Sequence, residues 1–115
     1  MIVRKNQRTS RVVKNVRGGK GELVFDDVMT PETLPDNIVL CSFITVKKGT
    51  GAGQHAHYGE SEVFHCISGK GKVYDQGREV DIYPGDTVVT KSGEIHNLVN
   101  ENDDDFVILA FIIKE

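Results

Sequence analysis

From Asn37 onward the chain is a succession of short apolar runs, each closed within a few residues by glycine, proline, asparagine or aspartate. An amphipathic helix needs apolar positions every three or four residues over ten or more. These runs are shorter, and they are rich in valine, isoleucine and phenylalanine, which suit a pleated, half-buried surface. The pattern predicts strands at residues 38–46, 54–58, 62–68, 72–75, 78–82, 86–90, 94–99 and 106–113, with an earlier one at 22–29. Between 30 and 35, Pro35 follows Pro31 too closely for more than a loop or a single 3₁₀ turn. The acidic segment from Asn100 to Asp105 reads as a solvated hairpin tip, since it lacks the glycine and terminal glutamate of a calcium loop. Many short strands and almost no helix predict an all-β antiparallel barrel or double-sheet jelly roll. At 115 residues there is room for one core, so residues 21–115 are expected to form a single domain.

Residues 1–20 differ in character. They carry seven Lys or Arg and no acid, whereas the remainder carries seven basic against 17 acidic residues. Such an arm invites a nucleic-acid or transit-peptide reading. It contains no aromatic residue to stack on a base, however, and its Ile2, Val3, Val12, Val13 and Val16 are strand formers. An extended arm that packs on the acidic body of its own or a partner subunit is the simpler expectation, with no nucleic-acid partner. With 38% apolar and 27% charged residues the composition is that of a soluble globule, and no apolar run approaches the roughly 20 residues of a membrane-spanning helix. Cys41 and Cys66 are far apart in sequence and fit a reducing cytoplasm, where Cys66 serves as a small buried group or borders the site described next.

Three of the four histidines and one glutamate fall at spacings that suit a common centre. His55 and His57, two residues apart, project on one face of a strand, with Ala56 on the other. Glu62 follows His57 by an odd number of residues, so a turn at Gly59 is required to aim its carboxylate back at the imidazoles. His96 completes the set if the fold brings its strand alongside. His65 falls on the opposite face from Glu62, Phe64 and Cys66 and is expected to be structural. Three imidazoles and a carboxylate form a donor set suited to Mn, Fe, Co, Ni, Cu or Zn, one divalent ion per chain.

These residues resemble the cupin superfamily. Residues 49–69 match its first motif, G-x5-H-x-H-x4-E-x6-G, at Gly49, His55, His57, Glu62 and Gly69. Residues 85–100 match the second, G-x5-P-x-G-x2-H-x3-N, at Gly85, Gly93, His96 and Asn100, with Lys91 in place of the usual proline. The resemblance implies a double-stranded β-helix barrel, His55, His57, Glu62 and His96 as metal ligands, Mn or Fe as the favoured ion, and a homodimer. It is similar to oxalate decarboxylases and germin-like oxalate oxidases, which implies a small carboxylate such as oxalate as ligand or substrate. The first reading is therefore a metal-dependent decarboxylase or oxidase acting on oxalate or a related small acid, and two departures from the pattern bear on it. Ala52 stands where those enzymes hold the free carboxylate with arginine or asparagine, and no residue maps onto their lid glutamate. Glu60 is the nearest acid or base candidate, although its place in a turn suits an exposed residue. Tyr58 and Gln54 border the ligands, and Asn100 is expected to fix a bend. The alternatives are a non-catalytic metal or metabolite-binding cupin, and a sugar or keto-acid isomerase, which an inward-facing Lys72 or Arg78 would favour.

Overall fold

Strand pairing accounts for nearly all of the backbone order in the computed structural model, which describes residues 1–115. Ten strands follow in chain order: β1 (Thr9–Lys14), β2 (Glu22–Asp27), β3 (Ile38–Val46), β4 (Thr50–Ala56), β5 (Glu60–Ser68), β6 (Gly71–Asp75), β7 (Arg78–Ile82), β8 (Thr87–Thr90), β9 (Ile95–Asn100) and β10 (Phe106–Lys114). Two 3₁₀ turns, Lys5–Gln7 and Val16–Gly18, are the helical elements. The strands form a six-stranded sheet in the order β1-β2-β3-β10-β5-β8 and a four-stranded sheet in the order β4-β9-β6-β7, with antiparallel pairing throughout. No hydrogen-bonded strand pair joins the two sheets, so the jelly roll is a pair of facing layers and not a closed ring.

Alternation along each strand decides what lies between the layers. Ile44 and Val46 of β3, Phe106, Ile108 and Ala110 of β10, and Phe64 and Cys66 of β5 point inward from the larger sheet. Ala52, Leu98, Val73 and Ile82 answer them from the smaller one. Each large apolar side chain fully buried this way contributes about 1.5–3 kcal/mol.

The basic arm forms strand β1, paired residue for residue with β2 from Thr9↔Asp27 to Lys14↔Glu22. Arg8 lies 3.4 Å from Asp26, Arg11 2.9 Å from Asp27 and Lys14 3.7 Å from Glu22. Ion pairs this exposed are worth about 0–1 kcal/mol each, so the strand ladder and the packing of Val13 and Val16 against the core do most of the holding.

Two connections differ from the sequence expectation. The segment after β9 is not a hairpin tip, because β9 and β10 belong to different sheets and the acidic residues span the gap between layers. At its start Asn100 is fully buried and acts as the corner post. Its Nδ2 donates to the carbonyls of Val46 and Asp104, both at 2.8 Å, and its Oδ1 accepts from Asn102 N–H at 2.8 Å. Strand β4 also begins earlier than expected, at Thr50, because Gly51 and Gly53 let neighbouring backbone approach where a side chain would not fit.

Replacing Asn100 with alanine removes three hydrogen bonds, of which the one to the Val46 carbonyl is fully buried, each worth about 1 kcal/mol and more where no water can replace it. Asn100→Ala should therefore lower unfolding stability by about 3 kcal/mol or more. Urea denaturation followed by circular dichroism reads this directly, and a midpoint equal to that of the parent would contradict the corner-post role.

Candidate metal centre

The turn at Gly59 (φ +74°) carries the chain from β4 in the smaller sheet to β5 in the larger one. Glu62 consequently faces the histidines across the interior instead of lying beside them. His96 enters from β9, where it is the direct cross-strand partner of His55. His57 lies just beyond the end of β4, in the crossing segment. Ala52 and His55 both face inward although they are three residues apart, which a straight strand forbids. A register shift between them, a β-bulge, turns His55 inward and leaves Gln54 exposed.

The result is a ring of four ligand atoms. His55 Nε2 lies 3.2 Å from His57 Nε2, which lies 3.0 Å from Glu62 Oε1. Glu62 Oε1 is 3.1 Å from His96 Nε2, and His96 Nε2 is 3.0 Å from His55 Nε2. All four atoms lie within 4.8 Å of one another, and Glu62 pairs with His57 and His96 but not with His55, which stands diagonally opposite.

Outer contacts set which nitrogen faces the ring. His55 Nδ1–H donates to the Gly53 carbonyl at 2.7 Å, and His57 Nδ1–H donates to Glu60 Oε1 at 2.7 Å. Both Nε2 lone pairs are thereby aimed inward. Glu60, the acid or base candidate from sequence, thus spends its carboxylate on orienting His57. His96 has no partner for its buried Nδ1, and its ring instead stacks on Phe64 with centroids 4.9 Å apart and planes 8° from parallel. Burial holds the His55 imidazole below its ordinary range. The Gly53 contact opposes that shift, while His96, Arg17 and His57 add to it. Two imidazole lone pairs and a carboxylate oxygen face one volume at about 3 Å, and His96, whose Nδ1 makes no competing bond, turns its Nε2 to the same volume, so the donor set fits a metal ion.

Three members of this ring, His55, His57 and Glu62, line one end of a small cavity of ≈ 120 Å³ whose other walls are chiefly apolar, among them Phe25, Leu40, Ile44, Ala52 and Leu98. Arg17 of the second 3₁₀ turn also lines it, a residue the sequence reading did not single out. Other sequence candidates fall outside. Tyr58 is 81% exposed, Lys72 pairs with Glu101 on the surface at 3.4 Å, and Arg78 is exposed. His65 bonds Thr87 Oγ1 at 2.7 Å on the outer face. Cys66 is a core residue, and burial together with Asp86 raises its thiol pKa.

A family model described as a cupin domain matches residues 42–112. An oxalate-binding protein from Thermotoga maritima is 34% identical over 113 residues, covering 98% of this chain and 93% of its own. The crystal structure of a predicted oxalate decarboxylase from Thermotoga maritima superposes with a TM-score of 0.92 at 34% identity, covering 100% of both chains. A polyketide cyclase from Streptomyces resistomycificus shares the fold at 19% identity with a TM-score of 0.79, over 100% of this chain and 80% of that one.

The lowered His55 pKa has a signed consequence. The unfolded chain takes up a proton near the ordinary value of 6.5, while the folded chain resists it, so stability is lost as pH falls through and below that value. Melting temperatures of the metal-free protein and of His55→Gln, followed by circular dichroism from pH 7.5 to 5.5, should therefore diverge, with the parent falling faster. Parallel curves would refute the assignment.

Proposed function

This chain belongs to the cupin family, and from that premise we propose that it is a metal-dependent binding protein for a small dicarboxylate such as oxalate. The observation that carries the proposal is the ring of His55, His57, Glu62 and His96, three members of which open onto a small apolar cavity. Its shape bears on coordination number. A tetrahedral ion with bonds of about 2.1 Å would hold every ligand pair about 3.4 Å apart, whereas neighbouring sites on a six-coordinate ion lie about 3.0 Å apart. Sides of 3.0–3.2 Å would suit an ion that takes more than these four ligands and so would leave room for a carboxylate. That preference favours Mn(II) or Fe(II) over a structural zinc.

A divalent ion held there supplies Lewis acidity and a template for a carboxylate oxygen. Around it, the chain's own groups exclude water and fix orientation. Phe64 stacks on His96, Glu60 and Gly53 orient the other two imidazoles, and the apolar walls limit the polar contacts open to a bound acid. Proton chemistry is poorly provided for. Decarboxylation of oxalate to formate leaves a carbon that must gain a proton, yet Glu62 is the sole carboxyl group lining the cavity and it belongs to the ring. This supports binding over turnover. The relative named for oxalate binding lends the same support to the choice of ligand.

A homodimer fits the outer face of the larger sheet. By alternation Phe43, Val63, Leu109 and Phe111 point away from the core, with Ile67 and Val89 beside them 45% and 53% exposed. Sedimentation should give twice the 12.7 kDa chain mass, and a single-chain mass at micromolar concentration would remove this part of the proposal.

For the binding reading itself, protein loaded with Mn(II) should take up about one ion per chain and bind oxalate in calorimetry, and His57→Ala should lose both. Oxalate should be recovered unchanged with and without oxygen. Release of carbon dioxide would instead make the protein an enzyme, and failure of the loaded protein to bind oxalate would remove the ligand assignment.

A further inference from the structure

We propose that Arg17 captures the outer carboxylate of the bound acid and so selects dicarboxylates over monocarboxylates, an inference that rests on the binding function above. Four polar side chains line the cavity. Three belong to the metal ring, and the fourth is Arg17, the only permanent cation among them. A dicarboxylate that gives one end to the ion has a second negative end, and the remaining walls of the cavity near the ring offer chiefly hydrocarbon. A planar guanidinium is the side chain best matched to a free carboxylate, which it can hold through two parallel hydrogen bonds.

The backbone around Arg17 is built to hold it at this mouth. Arg17 sits in the left-handed region (φ 52°, ψ 35°), as does Asn15 (φ 50°, ψ 48°), with Gly18 at φ +76° immediately after. Left-handed backbone is unfavourable for a residue with a Cβ, and such outliers mark places where surroundings over-determine the conformation. Here the surroundings are explicit. Asn15 N–H donates to Gly21 at 2.9 Å, Asn15 Nδ2 to Gly19 at 3.1 Å, and Gly51 N–H of β4 to Lys20 at 3.0 Å. A Cβ on Gly53 would stand 2.2 Å from the Arg17 carbonyl oxygen, and one on Gly19 would stand 2.2 Å from that of Gly51. The turn therefore lies backbone to backbone on β4, against the same Gly53 whose carbonyl orients His55. The backbone of residue 17 and the imidazole of His55 thus rest on the same residue, Gly53.

The charge is also uncommitted. Arg8, Arg11 and Lys14 of the same arm each have a carboxylate partner on β2, whereas Arg17 has no ion pair and no side-chain hydrogen bond. It remains exposed at the cavity mouth, near enough to His55 to be among the charges lowering that imidazole's pKa.

The test compares calorimetric binding of oxalate and of acetate to Mn(II)-loaded protein, parent against Arg17→Gly and Arg17→Asn. Both replacements tolerate left-handed backbone, so each should fold and retain Mn(II). Oxalate affinity should fall ten- to a hundredfold in both, with acetate affinity unchanged within about twofold, and Arg17→Lys should fall between. Equal oxalate affinity in parent and variants overturns this inference alone. Equal losses for oxalate and acetate also overturn it, because they would place Arg17 in general upkeep of the site. A parent protein that holds Mn(II) but does not bind oxalate overturns the functional reading, and this inference with it.

Discussion

Electron pairs that converge on one small volume repel, and much of the architecture around the centre serves to hold four of them there. His55 and His96 come from the smaller sheet, Glu62 from the larger, and His57 from the segment that passes between layers. No single strand could present this set. The crossing at Gly59 is the step that turns two unrelated surfaces into one site, since a plain hairpin would leave Glu62 beside β4 and its carboxylate away from the interior. The apolar core shared by both sheets then resists the repulsion, with Phe64 and Leu98 packed next to the very residues that carry the charge.

The same strands explain how the fold tolerates a polar chamber in a core of modest size. Beyond the ring the core is almost entirely hydrocarbon, and two buried asparagines are hydrogen-bonded where strands and layers meet. Asn100 braces the β9 to β10 crossing, and Asn97 accepts from Tyr74 N–H at 2.6 Å on the seam of β6 and β9. Polar residues are thus used where layers meet and where strands would otherwise lose partners.

Much of this was legible in the residues because strand alternation and turn chemistry are local. The nine expected strands lie close to those observed, and His55, His57, Glu62 and His96 stood out by spacing before their convergence was known. What escaped the sequence depends on contacts between distant segments. The basic arm reads from sequence as extended and packed on the acidic body, but that its partner is β2, in register from Thr9 to Lys14, depends on the fold. The bulge between Ala52 and His55 inverts the parity that a straight strand would give, and nothing in Gly53-Gln54 announces it unaided. Arg17 reads as one basic residue among seven until a left-handed turn and two close-packed glycines set it at the chamber. Asn100 reads from sequence as a bend-fixing residue, but the two layers it joins are invisible without the sheet order.

The three imidazoles, identical as side chains, are not equivalent as donors. One leans on an anion through Glu60, one on a peptide dipole through Gly53, and the third on an aromatic face with its far nitrogen bare. A carboxylate pushes more electron density through a ring than a carbonyl does, and a stacked arene pushes least. A metal ion held by this set would therefore meet three unequal nitrogen donors, the strongest being His57 with the Glu60 carboxylate behind it, so the protein would grade the ion's surroundings with side chains that never touch it.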